Sequence, residues 1–301
     1  MLYNLSLYIM VIAIWGSTWL SIKYQVNEVV VTQAVFYRFA LAAMITQLAL
    51  IAFRRYQSYP LKLHGWFVLF GFCLFCANYY LFYIVTGMGI TTGLIAVMFS
   101  LITVMNIINA RVFFGEKTDL PRITGIALGF IGICTVFYQD ISALFTGQGM
   151  NYGLLLGVIA TYLASLGNMV SKRLQYHKVD VLNANGWGMT YGAMILGVVV
   201  LLSPEPLGFS TSLSFIGNLL YLAVFGSILA FWFYLTLLGR IGSDRAAYST
   251  LVFPMVALWL SWIFEDFVWT SETVIGFGLI FLGNLIILLK FPRKRTAALS
   301  S

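Results

Sequence analysis

Long apolar segments recur along the whole chain and constrain its fold more than any other feature. A helix needs roughly 20 mostly apolar residues to cross the hydrocarbon core of a bilayer. The apolar runs are continuous rather than alternating, which is typical of membrane helices and not of barrel strands. Ten such segments are present, at residues 5–24, 32–53, 65–85, 93–114, 123–138, 152–171, 183–202, 215–238, 246–264 and 274–289. The sequence therefore predicts an all-α integral membrane protein with ten transmembrane helices.

The composition agrees with a chain that lies mostly in lipid. Hydrophobic residues make up 61% of the sequence and charged residues only 9%, against roughly 25% charged residues in soluble domains. So few charges cannot cover a soluble globule, which excludes a soluble enzyme, a disordered chain and a nucleic-acid-binding domain. The connections between the segments are short and leave no room for a soluble catalytic or nucleotide-binding domain.

The charged residues alternate in sign from one connection to the next. If the N-terminus is cytoplasmic, 15 of the 17 Lys and Arg residues fall on the cytoplasmic side. The external connections carry acidic residues instead, namely Glu28, Asp140, Glu205, Glu265, Asp266 and Glu272. This is the positive-inside pattern, so we expect a multi-pass protein of the inner (plasma) membrane with both termini cytoplasmic. The net charge of +7 is then a consequence of topology, and no nucleic-acid partner is expected.

The two halves of the chain resemble each other. Leu81-Phe82-Tyr83 ahead of the fourth segment is similar to Trp232-Phe233-Tyr234 in the eighth. Each is followed by a glycine-containing turn, an apolar segment, an acidic residue and a glycine-rich segment. The offset is about 150 residues, so each half holds five segments, and an odd number inverts the second half. We therefore expect a five-helix repeat at residues 1–148, a second, inverted five-helix repeat at 149–290, and a cytoplasmic basic tail at 291–301.

Several short motifs together resemble one known family. They are Trp15-Gly16-Ser17-Thr18 followed by Lys23, Arg38-Phe39, Gly115-Glu116-Lys117, Pro254, and the ending from Gly276 to Gly283-Asn284. With ten segments and an inverted repeat, this pattern resembles the EamA-type branch of the drug/metabolite transporter superfamily over nearly the whole chain. Two positions depart from the family pattern: Glu265 comes about two residues early without a preceding glycine, and Thr103 stands where many relatives carry proline.

The resemblance implies a secondary transporter that works by alternating access around a central cavity. It implies export of small organic metabolites such as amino acids, or of amphipathic and aromatic drugs. The alternative is an importer or exchanger of sugar-linked metabolites of the nucleotide-sugar type, as in other branches of the superfamily. That alternative requires several cationic residues to face the cavity, and among residues within or near the apolar segments only Arg38 and Lys23 are candidates.

Arg38 is the first candidate for a substrate-binding residue, because ionisable residues inside membrane segments are costly and usually functional. Its guanidinium is suited to hold a carboxylate through two parallel hydrogen bonds. The alternative is a structural arginine that extends to the membrane surface or pairs with Glu28.

Polar residues at helical spacing provide further candidates. Thr161, Ser165, Asn168 and Lys172 share one face of the sixth segment, and Thr103, Asn106 and Asn109 recur every three residues in the fourth. Such stripes line a wet cavity or join helices by hydrogen bonds, and the sequence leaves both alternatives open. With polar-tipped aromatics, the full set of predicted binding residues is Arg38, Trp15, Asn78, Tyr79, Tyr83, Asn106, Ser165, Asn168, Trp187 and Trp232.

No metal, cofactor or catalytic site is predicted. The sequence has 3 cysteines and 2 histidines, with Cys73 and Cys76 inside an apolar segment, and neither type forms a ligand cluster. The middle of the segments lacks the acidic residue or histidine of a proton relay, and no P-loop occurs. We therefore expect facilitated transport or exchange rather than an intramembrane enzyme or a scaffold. The expected partners are a small-molecule substrate and the lipid bilayer, and the glycines of the tenth segment are compatible with a homodimer.

Overall fold

The computed structural model of the protein describes residues 2–117, 119–138, 152–241 and 249–289. Within these ranges all regular structure is helical and no strand occurs. The predicted repeat boundary near residue 148, the first residues of the ninth apolar segment and the basic tail at 291–301 lie outside the described residues.

The described residues form thirteen α-helices and two π-helical segments. The first half contains α1 (Leu2–Val26), α2 (Val31–Ala52), α3 (Leu61–Phe70), π1 (Gly71–Ala77), α4 (Asn78–Gly87), α5 (Thr92–Ser100), α6 (Ile102–Phe114) and α7 (Leu120–Val136). The second half contains α8 (Tyr152–Tyr176), α9 (Val181–Leu202), α10 (Leu213–Leu220), π2 (Tyr221–Leu229), α11 (Ala230–Ile241), α12 (Ser249–Phe264) and α13 (Ser271–Leu289).

Among the described residues, seven continuous helical stretches are long and apolar enough to cross a membrane, and they correspond to the first four predicted segments and the sixth to eighth. Three shorter apolar helices cover the remaining predicted segments, at Leu120–Val136, Val252–Phe264 and Ser271–Ile287. The prediction of an all-helical membrane protein is confirmed. The count of ten spans remains a prediction, because three of the helices are shorter than the bilayer core usually requires.

Local sequence signals explain where several helices begin and end. The side chains of Asp119 and Asp180 accept hydrogen bonds from backbone N–H groups in the first turns of α7 and α9, and Ser212 does the same for α10. These are the residue types that stabilise helix N-termini. The helix α6 ends at Gly115, which has a left-handed φ of 65° that glycine adopts without strain.

The two π-helical segments lie at matching places in the two halves. They begin 150 residues apart, at Gly71 and Tyr221, each inside a long apolar stretch. In π2 the hydroxyl of Ser227 donates to the carbonyl of Leu222, five residues earlier, at 3.0 Å. Short π-helical turns within α-helices frequently occur at functional sites, and Asn78 directly follows π1.

Glycines allow α7 and α13 to pack with their backbones in contact. A Cβ added at Gly132 would lie 2.6 Å from the carbonyl oxygen of Gly276, and one added at Gly283 would lie 2.7 Å from that of Gly125. Small residues serve this purpose between membrane helices. Of the glycines that the sequence makes compatible with a homodimer, Gly276 and Gly283 therefore contact a helix of the same chain, whereas Gly278 meets open space. A dimer remains a prediction.

Candidate functional site

A cavity of about 510 Å³ lies at the centre of the helical bundle. Its walls come from α1, π1, α4, α5, α6 and α7 in the first half and from α8, α11 and α12 in the second. Of the predicted binding residues, the structure places five in the cavity wall: Trp15, Asn78, Tyr79, Asn106 and Asn168. Both halves therefore contribute to one cavity, which has a size typical for small-molecule sites.

Aromatic rings form the largest part of the cavity wall. Trp15 contacts Phe231 edge-on at a centroid distance of 5.6 Å and lies 5.3 Å from Tyr234. Trp19 and Phe82 pack edge-on at 5.0 Å. Aromatic faces of this kind bind apolar, aromatic and cationic organic groups. Tyr234 was noted in the sequence as a polar-tipped aromatic beside Trp232, but neither it nor Trp19 is in the predicted set of binding residues, because aromatic side chains occur equally on lipid-facing surfaces.

The polar part of the wall lies where α6 meets α8. The Oδ1 atom of Asn106 accepts hydrogen bonds from Ser165 at 2.8 Å and from Asn168 at 3.3 Å. The Ser165 hydroxyl in turn accepts from Asn109 at 2.9 Å. The two predicted stripes thus meet face to face, and Asn106 and Asn168 both line the cavity and join the helices. Ser165 itself is fully buried behind them.

Asn78 supplies a second polar contact across the two halves. Its side-chain amide donates to the backbone carbonyl of Ala160 in α8 at 2.9 Å. This bond holds α4 against α8 and leaves the Asn78 side chain in the cavity wall.

Charged residues line one end of the cavity. Lys172 forms an ion pair with Glu116, and its ammonium lies 4.6 Å from the centre of the Phe114 ring. Arg122 also lines this end, and its guanidinium donates to the backbone carbonyl of Lys117 at 2.6 Å. The sequence placed these residues on the predicted cytoplasmic side but did not assign them to the cavity. The sequence feature that could have indicated this location is the position of Lys172 on the polar stripe of α8, together with Thr161, Ser165 and Asn168.

A polar cluster centred on Glu265 lies next to the cavity wall, because its Lys23 directly follows Ile22 of that wall. The Glu265 carboxylate has 0% exposed surface and lies 2.9 Å from the Lys23 ammonium. It also accepts hydrogen bonds from the backbone N–H of Thr92 at 2.9 Å, the Thr92 hydroxyl at 2.5 Å and the Ser261 hydroxyl. The Ser261 hydroxyl accepts from the backbone N–H of Gly93 at 2.7 Å. We call these residues the Glu265 cluster; it joins α1, α5 and α12.

Burial and hydrogen bonding act in opposite directions on the Glu265 carboxyl. Burial raises its pKa, and the hydrogen bonds from Ser261, Thr92 and Lys23 lower it. The hydrogen bonds prevail, so the pKa lies below the ordinary range of a glutamate. The cluster therefore holds the charged form of Glu265.

Arg38 does not line the cavity. It is 1% exposed, and its guanidinium carbon lies 4.5 Å from the centre of the ring of Tyr79, which is a residue of the cavity wall. The predicted alternatives, extension to the surface or a pair with Glu28, are both wrong. Arg38 is buried, and the Glu28 carboxylate instead accepts hydrogen bonds from Ser210 and Ser212 at 2.8 and 2.9 Å.

The remaining predicted residues lie away from the cavity wall. Tyr83 is fully buried beside Arg38. Trp187 belongs to a separate aromatic cluster, where it contacts His64 at a ring distance of 4.8 Å and stacks against Tyr191. Trp232 is 54% exposed on the outside of the bundle. Neither of these two tryptophans therefore lines the cavity.

Comparison with known proteins agrees with the architecture of the chain. The model of the EamA-like transporter family matches residues 3–138 and again residues 151–289. An uncharacterized transporter of Archaeoglobus fulgidus is 24% identical, with 93% of this chain and 96% of the relative covered. A probable amino-acid metabolite efflux pump of Salmonella typhimurium is 25% identical, with 97% of each chain covered.

Two further comparisons extend this result. The uncharacterized inner membrane transporter YedA of Escherichia coli is 27% identical over 95% of this chain and 91% of its own. A solved crystal structure superimposes with a TM-score of 0.63 at 16% identity, and covers 94% of this chain and 96% of its own, which shows a shared fold. The resemblance identified from the sequence motifs is confirmed, and with its membrane-spanning helices the protein is a multi-pass inner-membrane transporter. The chain belongs to the EamA-like transporter family.

Proposed function

We propose that the protein exports small organic metabolites by alternating access around the central cavity. The observation that supports this most directly is the cavity itself, which is enclosed by aromatic and amide side chains from both matches to the family model. The name of the Salmonella relative, an amino-acid metabolite efflux pump, supports the outward direction.

The proposed topology has ten transmembrane helices in two inverted halves, at residues 1–148 and 149–290, followed by the basic tail at 291–301. The double match to the family model and the matching positions of π1 and π2 support two repeats. The charge distribution supports cytoplasmic termini. In this topology the end of the cavity lined by Lys172 and Glu116 is cytoplasmic, and the Glu265 cluster is external.

The arrangement of the two ends suggests how transport proceeds. The cavity reaches the charged residues at its cytoplasmic end, so a solute enters from that side. The Glu265 cluster closes the external end by joining α1, α5 and α12. Release outside then requires these three helices to separate, while the cytoplasmic end closes. Repeats that rock around a fixed central site are a recurrent plan for such transporters.

The chemistry of the wall favours a zwitterionic or uncharged solute with an apolar or aromatic part. Rings of Trp15, Trp19 and Tyr79 accept the apolar part, and the amide groups of Asn106 and Asn168 donate and accept hydrogen bonds. Amino acids and amphipathic aromatic drugs meet this description. Nucleotide sugars do not, because the cations of the wall already have internal partners, such as Glu116 for Lys172.

Flux measurements in proteoliposomes test the proposal. Purified protein should accelerate the movement of an aromatic or aliphatic amino acid, and Trp15→Ala should reduce that flux by at least tenfold. The matched control is Trp232→Ala, which removes the same side chain from the outer surface and should leave flux unchanged. Equal effects of the two substitutions, or flux of a nucleotide sugar but of no amino acid, would contradict the proposed substrate class.

A further inference from the structure

Arg38 is a buried cation without an acidic partner among the described residues. It lies in the eighth position of α2 and is one of the largest fully buried side chains. An ion pair requires an aspartate or glutamate oxygen within 4 Å. In the described part of the chain, no such oxygen lies within 4 Å of the Arg38 guanidinium. A buried charge is normally paired, so the position needs a compensating group.

The hydrogen bonds of Arg38 do not supply that compensation. Its Nε atom donates to the Ser227 hydroxyl at 3.4 Å and one terminal nitrogen donates to the Tyr83 hydroxyl at 3.5 Å. Both distances exceed the usual 2.7–3.2 Å for N–H···O bonds. A guanidinium has five N–H donors, so most of its capacity is unused. The remaining contacts are with the ring faces of Tyr79 and Phe39, at 4.5 and 5.2 Å.

The side-chain amide of Gln25 places a second unused hydrogen-bond donor beside the Tyr83 hydroxyl. The Tyr83 hydroxyl donates to Oε1 of Gln25 at 2.7 Å. Because Arg38 can only donate, the Tyr83 oxygen accepts from it and directs its own hydrogen to Gln25, which fixes the orientation of the amide. The Nε2 atom of Gln25 is then buried with no hydrogen-bond partner, in a residue with 0% exposure.

Neighbouring elements hold this arrangement in place from both halves of the chain. Ser227 lies in π2, and its bond to the Leu222 carbonyl directs its oxygen towards Arg38. Gly226 allows close packing beside the guanidinium, since a Cβ there would lie 3.5 Å from a terminal nitrogen of Arg38 and would clash with Thr18 at 2.8 Å. Among the described residues, no negative charge lies within ion-pair distance of the guanidinium.

We propose that Arg38 and Gln25 form a buried binding site for a small monovalent anion, either chloride or the carboxylate of an organic acid. The anion accepts hydrogen bonds from the guanidinium and from the Gln25 amide and neutralises the buried charge. Neither Arg38 nor Gln25 belongs to the cavity wall, so the test of this site does not depend on the proposed export of metabolites.

Thermal unfolding of the purified protein in three sodium salts tests the site. The salts are chloride, acetate and HEPES, the last a bulky sulfonate, at equal sodium concentration. A bound anion stabilises the folded state by mass action, so Tm should rise with a saturable dependence by about 5 °C or more at high anion concentration. A rise in chloride alone identifies an inorganic ion, and a rise in acetate alone identifies a carboxylate. Identical melting curves in all three salts would overturn the proposal.

Variants locate the effect on these residues. Gln25→Glu supplies a resident carboxylate beside Arg38, so Tm in HEPES should rise and the dependence on chloride or acetate should disappear. The matched control is Gln33→Glu, because the Gln33 amide is already satisfied by Pro206 and Gly208 at 2.9 Å; this variant should keep the anion dependence. Arg38→Met should also abolish it. An anion dependence that survives Gln25→Glu with the fold intact would refute the site.

Discussion

Replacement of Glu265 by glutamine tests whether the Glu265 cluster keeps the external side closed. The substitution keeps the shape of the side chain and removes its charge. The Lys23 ammonium, which lies against Oε1, then faces a neutral amide. The hydrogen bonds from Thr92 and Ser261, which all go to Oε2, lose the charge of their acceptor. We expect the helices α1, α5 and α12 to separate more readily, so that the cavity is more often open to the outside.

The geometry sets the size of the effect. Hydrogen bonds to a charged group contribute about 1.5–3 kcal/mol each, and glutamine retains part of this. The ion pair itself adds little, because the Lys23 side chain is 38% exposed and exposed pairs are worth about 0–1 kcal/mol. The closed state should therefore lose about 2–4 kcal/mol relative to the open state. Because every 1.4 kcal/mol changes an equilibrium constant tenfold, the population of the open state should rise roughly 30- to 700-fold.

Labelling from outside the cell measures this population. Ile22 lies in the cavity wall one residue before Lys23 and is 1% exposed. In a background in which Cys73, Cys76 and Cys134 are replaced by alanine, Ile22→Cys should react slowly with a membrane-impermeant maleimide. Adding Glu265→Gln should raise the rate by at least tenfold.

Glu28→Gln is the matched control, because the Glu28 carboxylate also accepts hydrogen bonds on the predicted external side, from Ser210 and Ser212, but lies outside the cavity wall. It should leave labelling of the cysteine at position 22 unchanged. If Glu265→Gln lowers Tm and leaves the labelling rate unchanged, the cluster stabilises the fold without acting as a gate, and the reasoning is refuted.

Three further predictions follow from the same contacts. Because the pKa of Glu265 is lowered in the folded state, its stabilisation of the closed state is present above the ordinary glutamate range and is lost as pH falls through the lowered value; labelling at position 22 should therefore rise only at strongly acidic external pH. Gly132→Val should destabilise the protein by about 1–3 kcal/mol, because its side chain would press on the backbone of Gly276; Gly278→Val, which meets open space, should change Tm much less. Asn106→Leu should cost about 1–3 kcal/mol in thermal unfolding, because Ser165 and Asn168 lose their shared acceptor, and should also reduce flux.

The sequence was better at predicting which polar residues share one face of a helix than at predicting which aromatic residues line the cavity. The spacing of Asn106 and Asn109, and of Ser165 and Asn168, was sufficient to place them on stripes that meet in the structure. Polar residues at helical spacing carry this information because lipid excludes them. Trp15 and Trp232 carry no such information, because lipid and an aromatic cavity accept the same side chain.

Contacts between residues that are far apart in the chain could not be predicted from the sequence, for a different reason. Glu265 and Lys23 are far apart in the chain, and no local pattern connects them. The same holds for Arg38. Its burial was predictable, but its position outside the cavity wall, against the ring of Tyr79, depends on how α2 packs against α4. The π-helical segments have no compositional signal, since Gly71–Ala77 and Tyr221–Leu229 are as apolar as the α-helices around them.

The Lys172–Glu116 and Lys23–Glu265 ion pairs differ in burial, and from this difference we infer which end of the cavity opens more readily. Glu116 and Lys172 retain 35% and 28% of their side-chain exposure, so their pair is screened by water and contributes little. Glu265 is fully buried and has hydrogen bonds from three elements, so breaking its cluster is the more expensive step. In the proposed topology the state that opens to the cytoplasm is then the resting state. A solute drives export only if it binds the externally open state more tightly than the resting state. The difference in binding free energy must be about as large as the free energy that keeps the Glu265 cluster closed. Transport specificity therefore originates in the difference between the two ends of the cavity.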